Sequence, residues 1–142
     1  MNDVVVDSSV VVKWILPESD SADAVRVKDE VMAANGKLIV LDLVWPEVSN
    51  AIWKSHRQRK ITLANAQQAL AVLKGLPFQA KPAASALEKA FDIAVKYDRA
   101  VYDALFVALA QDLGVRGVTA DEPLYNTTHA DFPQIVLLRD WS

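Results

Sequence analysis

VVVDSSVVVKW, residues 4–14, is the stretch that decides the fold. Its first three valines show no polar alternation, which indicates a strand covered on both faces. Asp7 ends the strand because a carboxylate is costly to bury, and Ser8 or Ser9 is placed to cap the helix that follows. Ligands of open α/β sheets bind at the carboxyl ends of parallel strands. Asp7 is therefore a candidate site residue, and an ordinary turn aspartate is the alternative.

Composition and charge restrict the class of protein. The 142 residues fit one domain, predicted over residues 1–142. The net charge of -3 excludes a global basic field for nucleic acid, although a local basic patch stays open. Cysteine is absent, which excludes disulfides and thiolate metal sites. The start has no signal-peptide pattern and no apolar run approaches ~18–20 residues. A cytoplasmic protein with no membrane contact is predicted.

Further along the chain, short apolar runs alternate with helical patterns. Buried strands are predicted at 38–41, 78–81, 115–119 and 135–138, the third broken by Gly117. Helices are predicted over 9–16, 19–34, from 45 onward, 62–74, 83–97 and 103–113. This alternation predicts an α/β fold, a single-domain α/β/α sandwich with a mainly parallel central sheet.

Three local features of these helices can be predicted. Gly36 is expected to end the 19–34 helix in a left-handed cap, and Gly114 to close the 103–113 helix. Residues 104–110 are apolar on every side, which predicts the most buried helix of the fold. The core face of the 83–97 helix is predicted to consist of Leu87, Ala90, Phe91, Ala94 and Val95.

Four acids lie where predicted strands end or predicted helices begin. Asp7 and Asp121 end strands, Glu47 opens the helix after the second strand, and Asp103 opens the buried helix. Taken singly, each has a structural explanation, because acids stabilise the positive ends of helices and suit turns. Taken together, they fall where a parallel sheet places its cleft. Four carboxylates a few Å apart need cations, because like charges raise each other's pKa.

Carboxylate ligands indicate the metal and the chemistry. Oxygen-only ligands favour Mg²⁺ or Mn²⁺ over zinc, and neither His56 nor His129 has a matching ligand nearby. Two such ions can activate water for in-line displacement at phosphorus, which makes phosphodiester hydrolysis the leading reaction.

Three polar residues are candidates to support the acids. Ser9 and Thr119 can donate hydrogen bonds to a carboxylate, and Asn50 can orient Glu47 from one turn further along. A helix cap for Ser9 and an ordinary strand position for Thr119 are equally good readings.

Four segments, in this order and spacing, carry a family resemblance: VVVDSSVVVKWILPE, WPEVSNAIWK, YDALFVALAQDLG and VTADEPL. The chain resembles the PIN-domain ribonucleases, most closely the VapC-type toxins of type II toxin–antitoxin pairs. The resemblance implies a Mg²⁺-dependent endoribonuclease (Mn²⁺ being the alternative) with catalytic and metal-binding acids at Asp7, Glu47, Asp103 and Asp121. Ser9 and Asn50 match the family's small hydroxyl residue and its asparagine.

Partners follow from the same resemblance. It implies an RNA substrate, a homodimer, and a cognate antitoxin whose tail lies across the active-site cleft. Such partners would account for a hydrophobic content of 52%. One departure concerns the Ser or Thr that relatives often carry before the third acid; here Asp98 is expected to cap that helix.

Basic and aromatic residues supply candidate RNA contacts. Lys13, Lys54 and Arg57, with Arg59 and Lys60, can bind phosphates, and a solvated surface is the alternative for each. Trp14, Trp45 and Trp53 can stack bases, although this composition favours the core or a dimer interface.

Three other functions fit parts of the pattern. A housekeeping PIN nuclease in RNA processing would lack the antitoxin. A non-catalytic, Mg²⁺-binding receiver-like signalling domain would need a lysine after a late strand, where Thr119-Ala120-Asp121 stands. A haloacid-dehalogenase-like phosphatase would need a second aspartate in place of Ser9.

Overall fold

A five-stranded parallel sheet lies at the centre of the computed structural model, which describes residues 2–142. The strand order is β3-β2-β1-β4-β5, and every neighbouring pair is parallel. The predicted α/β fold is confirmed. The strands are β1 (Val4–Val6), β2 (Leu38–Leu41), β3 (Phe78–Lys81), β4 (Arg116–Thr119) and β5 (Ile135–Leu137).

Helices cover both faces of this sheet. Because side chains alternate along a strand, Val4 and Val6 pack into one apolar core and Val5 packs into the other. Helices α1 to α4 contribute to the first core, and α5 to α7 to the second. The helices are α1 (Ser8–Ile15), α2 (Ser21–Ala33), α3 (Val44–Arg57), α4 (Leu63–Gly75), α5 (Leu87–Tyr97), α6 (Val101–Leu113) and α7 (Glu122–Thr128), with short 3-10 turns at Ala83–Ala86 and Leu138–Asp140.

The strand order reverses between β1 and β4. From β1 the chain builds outward to β2 and β3, and then returns to add β4 and β5 on the other side. Val6 lies beside Val118 in the register, so the carboxyl ends of β1 and β4 are neighbours. Such a reversal leaves a crevice outside the strand ends, where ligands of this architecture bind.

Helix α6 is the most enclosed helix in the described part of the chain. Residues 104–110 are all buried, as predicted, and Gly114 ends the helix with a left-handed φ of 64°. Asp103, in the first turn of α6, is thereby fixed to a helix with little freedom to move. None of the helices within residues 2–142 is both long and apolar enough to cross a membrane.

Two glycines differ from their predicted roles. The left-handed residue after α2 is Asn35, with φ 58°, and Gly36 instead makes a close approach, because a Cβ there would lie 2.1 Å from the carbonyl oxygen of Asn2. Gly117 does not break β4. It makes room for α6, since a Cβ would lie 2.9 Å from the ring of Phe106.

The predicted core face of the 83–97 segment is wrong in part. Residues 83–86 form a 3-10 turn, and α5 buries Ala90 and Ile93. Leu87, Phe91 and Val95 are exposed by 47%, 59% and 69%. The segment is apolar on more than one side, and its small residues let α6 approach on the side opposite the larger ones. The side chains of Leu87, Phe91 and Val95 therefore form an exposed apolar stripe, the α5 stripe.

Asp98 does not cap α6, contrary to prediction. It ends α5 in the left-handed conformation, with φ 54°, and Ala100 occupies the N-cap position of α6 without a side-chain hydrogen bond. A three-residue link, Asp98 to Ala100, thus joins α5 to α6.

Candidate active site

Asp7 lies at the junction of β1 and α1, and its backbone ties the junction to β4. Its N–H donates to the carbonyl of Val118 at 3.0 Å. Its Oδ2 accepts hydrogen bonds from Ser9 Oγ and Thr119 Oγ1, each at 2.7 Å. The predicted cap by Ser8 or Ser9 is wrong, because Asp7 itself occupies the N-cap position and the Ser9 hydroxyl serves the Asp7 carboxylate.

Ser9 and Thr119 are held by the backbone that follows β4. The N–H of Ala120 donates to Ser9 Oγ at 3.0 Å, and the N–H of Asp121 donates to Thr119 Oγ1 at 3.1 Å. Each hydroxyl therefore accepts one bond from the backbone and donates one to Asp7. Thr119 is fully buried, so this network fixes the Asp7 carboxylate in one orientation.

Asp121 and Asp103 are also restrained, each through one oxygen. Asp121 caps α7, its Oδ1 accepting from the N–H of Leu124 at 3.1 Å. Asp103 Oδ2 accepts from Arg99 Nη2 at 3.1 Å. Arg99 was not among the predicted site residues, although its spacing of four residues before an acid is a signal for such a pair.

Mutual repulsion shows that the four acids converge. Burial raises the pKa of Asp7 most; Ser9 and Thr119 lower it, and the charges of Asp103 and Asp121 raise it further. Burial is also the main cause of the raised pKa of Glu47, to which Asp7 and Asp103 add, against a hydrogen bond from Ser8. The acids predicted from four separate segments thus act on one another across a single cleft.

Carboxylate oxygens are the kind of donor that a hard divalent cation prefers. Within residues 2–142, no three acids or histidines already stand in a metal-binding arrangement. Asp7, Asp103 and Asp121 each use one carboxylate oxygen for the hydrogen bonds above, so the other oxygen of each is available to a cation. The ligands are oxygens only, and repulsion from neighbouring acids adds to burial in raising the pKa of Asp7 and of Glu47.

The remaining predicted residues lie on α1 and α3. Asn50 is exposed on α3, one turn after Glu47. Lys13 is paired with Glu18 at 2.5 Å and Asp20 at 2.9 Å, so a contact with RNA phosphate would compete with these two ion pairs. Lys54 and Arg57 are exposed on α3.

The tryptophans divide into two kinds. Trp14 and Trp45 pack against Phe78 at centroid distances of 5.9 and 5.4 Å and border the apolar core. Trp53 is 52% exposed, and the guanidinium of Arg57 lies 5.2 Å from its ring. Trp53 is thus the tryptophan that remains available to stack on a base.

The raised pKa of Asp7 predicts how stability depends on pH without metal. Its folded pKa lies above the unfolded value of 3.8, so its contribution to stability is complete below pH 3.8 and is lost as the pH rises through the folded pKa. Asp7→Asn should therefore raise the melting temperature in EDTA at pH 7 and leave it unchanged below pH 3.8. Calorimetry of both proteins checks this, and a lower melting temperature for Asp7→Asn at pH 7 would contradict it.

Comparisons with known proteins identify relatives of this chain. The PIN domain family matches residues 4–130. Ribonuclease VapC3 of Pyrobaculum aerophilum is 34% identical over 125 residues, 85% of this chain and 91% of that protein. The crystal structure of PAE2754 from Pyrobaculum aerophilum has a TM-score of 0.71 at 22% identity, covering 96% of this chain and 84% of that one. A toxin–antitoxin complex from Klebsiella pneumoniae has a TM-score of 0.64 at 17% identity, covering 96% and 98%.

Proposed function

Because this chain belongs to the PIN-domain family and is related to VapC-type ribonucleases, we propose that it is a toxin endoribonuclease dependent on a divalent cation. One observation carries the proposal. A half-buried carboxylate, Asp7, is fixed by two hydroxyl donors and repelled by three further acids where the strand order reverses. This concentration of oriented negative charge is suited to a cation and to the phosphates of RNA.

The proposed Mg²⁺ or Mn²⁺ would be held by Asp7, Glu47, Asp103 and Asp121. When bound, such a cation neutralises charge on the phosphoryl oxygens and lowers the pKa of an attacking water. The chain's own contribution is orientation, because Ser9 and Thr119 fix Asp7 while the α7 cap fixes Asp121. Asn50 would orient Glu47 or contact phosphate from the next turn of α3.

Hydrolysis by water has a defined product. The water oxygen bonds to phosphorus, the bond from phosphorus to the 3′ oxygen breaks, and the 3′ oxygen takes a proton. The products carry 5′-phosphate and 3′-hydroxyl ends. Attack by the 2′-hydroxyl of RNA would instead leave a 2′,3′-cyclic phosphate.

Labelled RNA tests both the cation and the chemistry. We expect cleavage in Mg²⁺ or Mn²⁺ to stop in EDTA and to resume when metal is restored, since the acids alone repel the phosphates. The products should carry 5′-phosphates, and a 2′-O-methyl group at the cut site should not prevent cutting. Cleavage that persists in EDTA, or cyclic phosphate ends, would contradict the proposal.

The path of the RNA strand follows α3. Glu47, Asn50 and Lys54 share one side of this helix, and about 10 Å of helix separate the first from the last. Lys54 and Arg57 would therefore contact phosphates beyond the cleft. The apparent KM should rise with salt concentration, and a KM independent of salt would exclude these contacts.

An antitoxin segment is proposed to fill a groove beside the acids. The apolar groove, about 520 Å³, is lined by Trp45, Pro46, Ser49, Leu70, Leu73 and Lys74. Pro46 adjoins Glu47, so an apolar peptide seated there can place a basic side chain over the carboxylates. The variant Leu70→Glu should cleave RNA normally and escape inhibition by the co-expressed antitoxin; full inhibition would place the antitoxin elsewhere.

A second copy of the chain is proposed to cover the α5 stripe. The stripe presents Leu87, Phe91 and Val95 to solvent, and a two-fold related copy would bury it against itself. Light scattering should find a dimer for the wild type and a monomer for Phe91→Glu. Val72→Glu, at a 49% exposed valine on α4, is the control and should remain dimeric. A monomeric wild type, or a dimeric Phe91→Glu, would contradict this interface.

A further inference from the structure

Arg99 is held in place by the backbone between two helices. It follows the left-handed Asp98 at the end of α5 and precedes the N-cap of α6. Its N–H donates to the carbonyl of Ala94 at 3.1 Å, which anchors it to the last turn of α5. The side chain therefore starts from a fixed point one turn before Asp103.

The guanidinium of Arg99 is mostly withdrawn from water. Only 23% of its side chain is exposed, and its Nε is buried without a hydrogen-bond partner in the described part of the chain. Its ion pair is with Asp103, through Nη2 at 3.1 Å. A cation with so few partners is costly to withdraw from water unless its surroundings carry negative charge.

The acid cleft supplies that charge. Asp103, the ion-pair partner, raises the pKa of both Asp7 and Glu47 by repulsion. Arg99 is therefore paired with an acid that itself repels two other acids of the cleft. Among the salt bridges within residues 2–142, that of Arg99 is the one that involves any of the four acids of the cleft.

We propose that Arg99 is a positioning residue and an internal counter-ion of the acid cleft. As a positioning residue, it holds one oxygen of Asp103 and so orients the other oxygen. As a counter-ion, it offsets negative charge in the metal-free protein that a bound divalent cation would offset in the metal-loaded protein. The role as counter-ion rests on the cation-dependent function proposed above; the role in orienting Asp103 does not.

The variant Arg99→Met tests the counter-ion because it keeps the apolar stem and removes the charge. Its melting temperature in EDTA should be about 4 °C below that of the wild type, and saturating Mn²⁺ should at least halve this gap. Arg99→Lys keeps the charge and should stay closer to the wild type in EDTA. A gap of the same size in EDTA and Mn²⁺ would show that Arg99 acts by packing alone and would overturn the proposal.

Lys89→Met is the matched control. Lys89 also joins α5 to α6 through an ion pair, with Asp112, but this pair is exposed and lies outside the acid cleft. Its removal should shift the melting temperature equally in EDTA and in Mn²⁺. A gap that closes with Mn²⁺ for this variant as well would mean that the metal effect is not specific to Arg99.

A double variant separates this inference from the proposed function. If Arg99 offsets the charge of Asp103, Asp103→Asn should raise the melting temperature in EDTA more in the Arg99→Met background than in the wild type. An equal or smaller rise in the Arg99→Met background would overturn the counter-ion. If Mn²⁺ does not raise the melting temperature of the wild type, the cation-dependent function fails, and the double variant in EDTA still decides the role of Arg99.

Discussion

Replacing Asp7 by Asn should lower the rate of RNA cleavage by about a thousandfold or more. Asparagine has the same shape and can still accept the hydrogen bonds from Ser9 and Thr119, so the network that orients residue 7 survives. What is lost is the negative charge at the centre of the acid cleft. Single-turnover cleavage of labelled RNA in Mg²⁺ measures the loss directly.

Asp42→Asn is the control for this substitution. Asp42 follows β2 and its Oδ1 accepts a hydrogen bond from the N–H of Ala83, a bond that an amide oxygen also makes. It is exposed, so its charge has little effect on the cleft. We expect Asp42→Asn to cut RNA at the wild-type rate. Equal activity of Asp7→Asn and Asp42→Asn would show that the acid cleft is not the active site.

Leu105→Ala should lower the free energy of unfolding by about 3 kcal/mol. Leu105 is 2% exposed on α6, which packs into the core on one side of the sheet. Truncation leaves a cavity that this tightly packed helix cannot close. At this chain length the loss corresponds to a melting temperature lower by roughly 10 °C, which calorimetry in EDTA detects.

The same helix offers a matched control in Leu113, which is 37% exposed near its end. Leu113→Ala removes the same atoms from a partly solvated site and should cost less than about 1 kcal/mol. If both truncations cost the same, the burial of α6 would not be what stabilises the fold. Cleavage by the Leu105→Ala protein at low temperature separates lost stability from a lost site.

The features predicted well from sequence are those that local composition decides. Three valines followed by an aspartate define β1 and its end, and the uniformly apolar residues 104–110 define α6. Since parallel strands align their carboxyl ends, the order of elements was enough to bring Asp7, Glu47, Asp103 and Asp121 toward one edge.

Features that depend on a distant neighbour could not be predicted in this way. Gly36 is required by the backbone of Asn2, and Gly117 by the ring of Phe106, and neither contact is visible from the local sequence. The buried side of α5 was misassigned because its apolar residues exceed what one face can bury. Periodicity alone cannot choose which of them meets α6.

The pairing of charged side chains also depends on neighbours that the local sequence does not show. Lys13 is a candidate for RNA contact because it is basic, and its two ion pairs with Glu18 and Asp20 were not predicted. Arg99 was not predicted because its pairing with Asp103 depends on Asp98 ending α5 in the left-handed conformation instead of capping α6. In both cases the identity of the partner depends on how a turn is folded.

Binding of Mn²⁺, followed by electron paramagnetic resonance, tests most directly whether the four acids form a cation site. The wild type should bind Mn²⁺ saturably at neutral pH, and Asp7→Asn should bind it at least tenfold more weakly, because a ligand charge has been removed. Asp42→Asn should match the wild type. Equal binding by the wild type and Asp7→Asn would contradict the cation site, and the proposed chemistry of RNA cleavage with it.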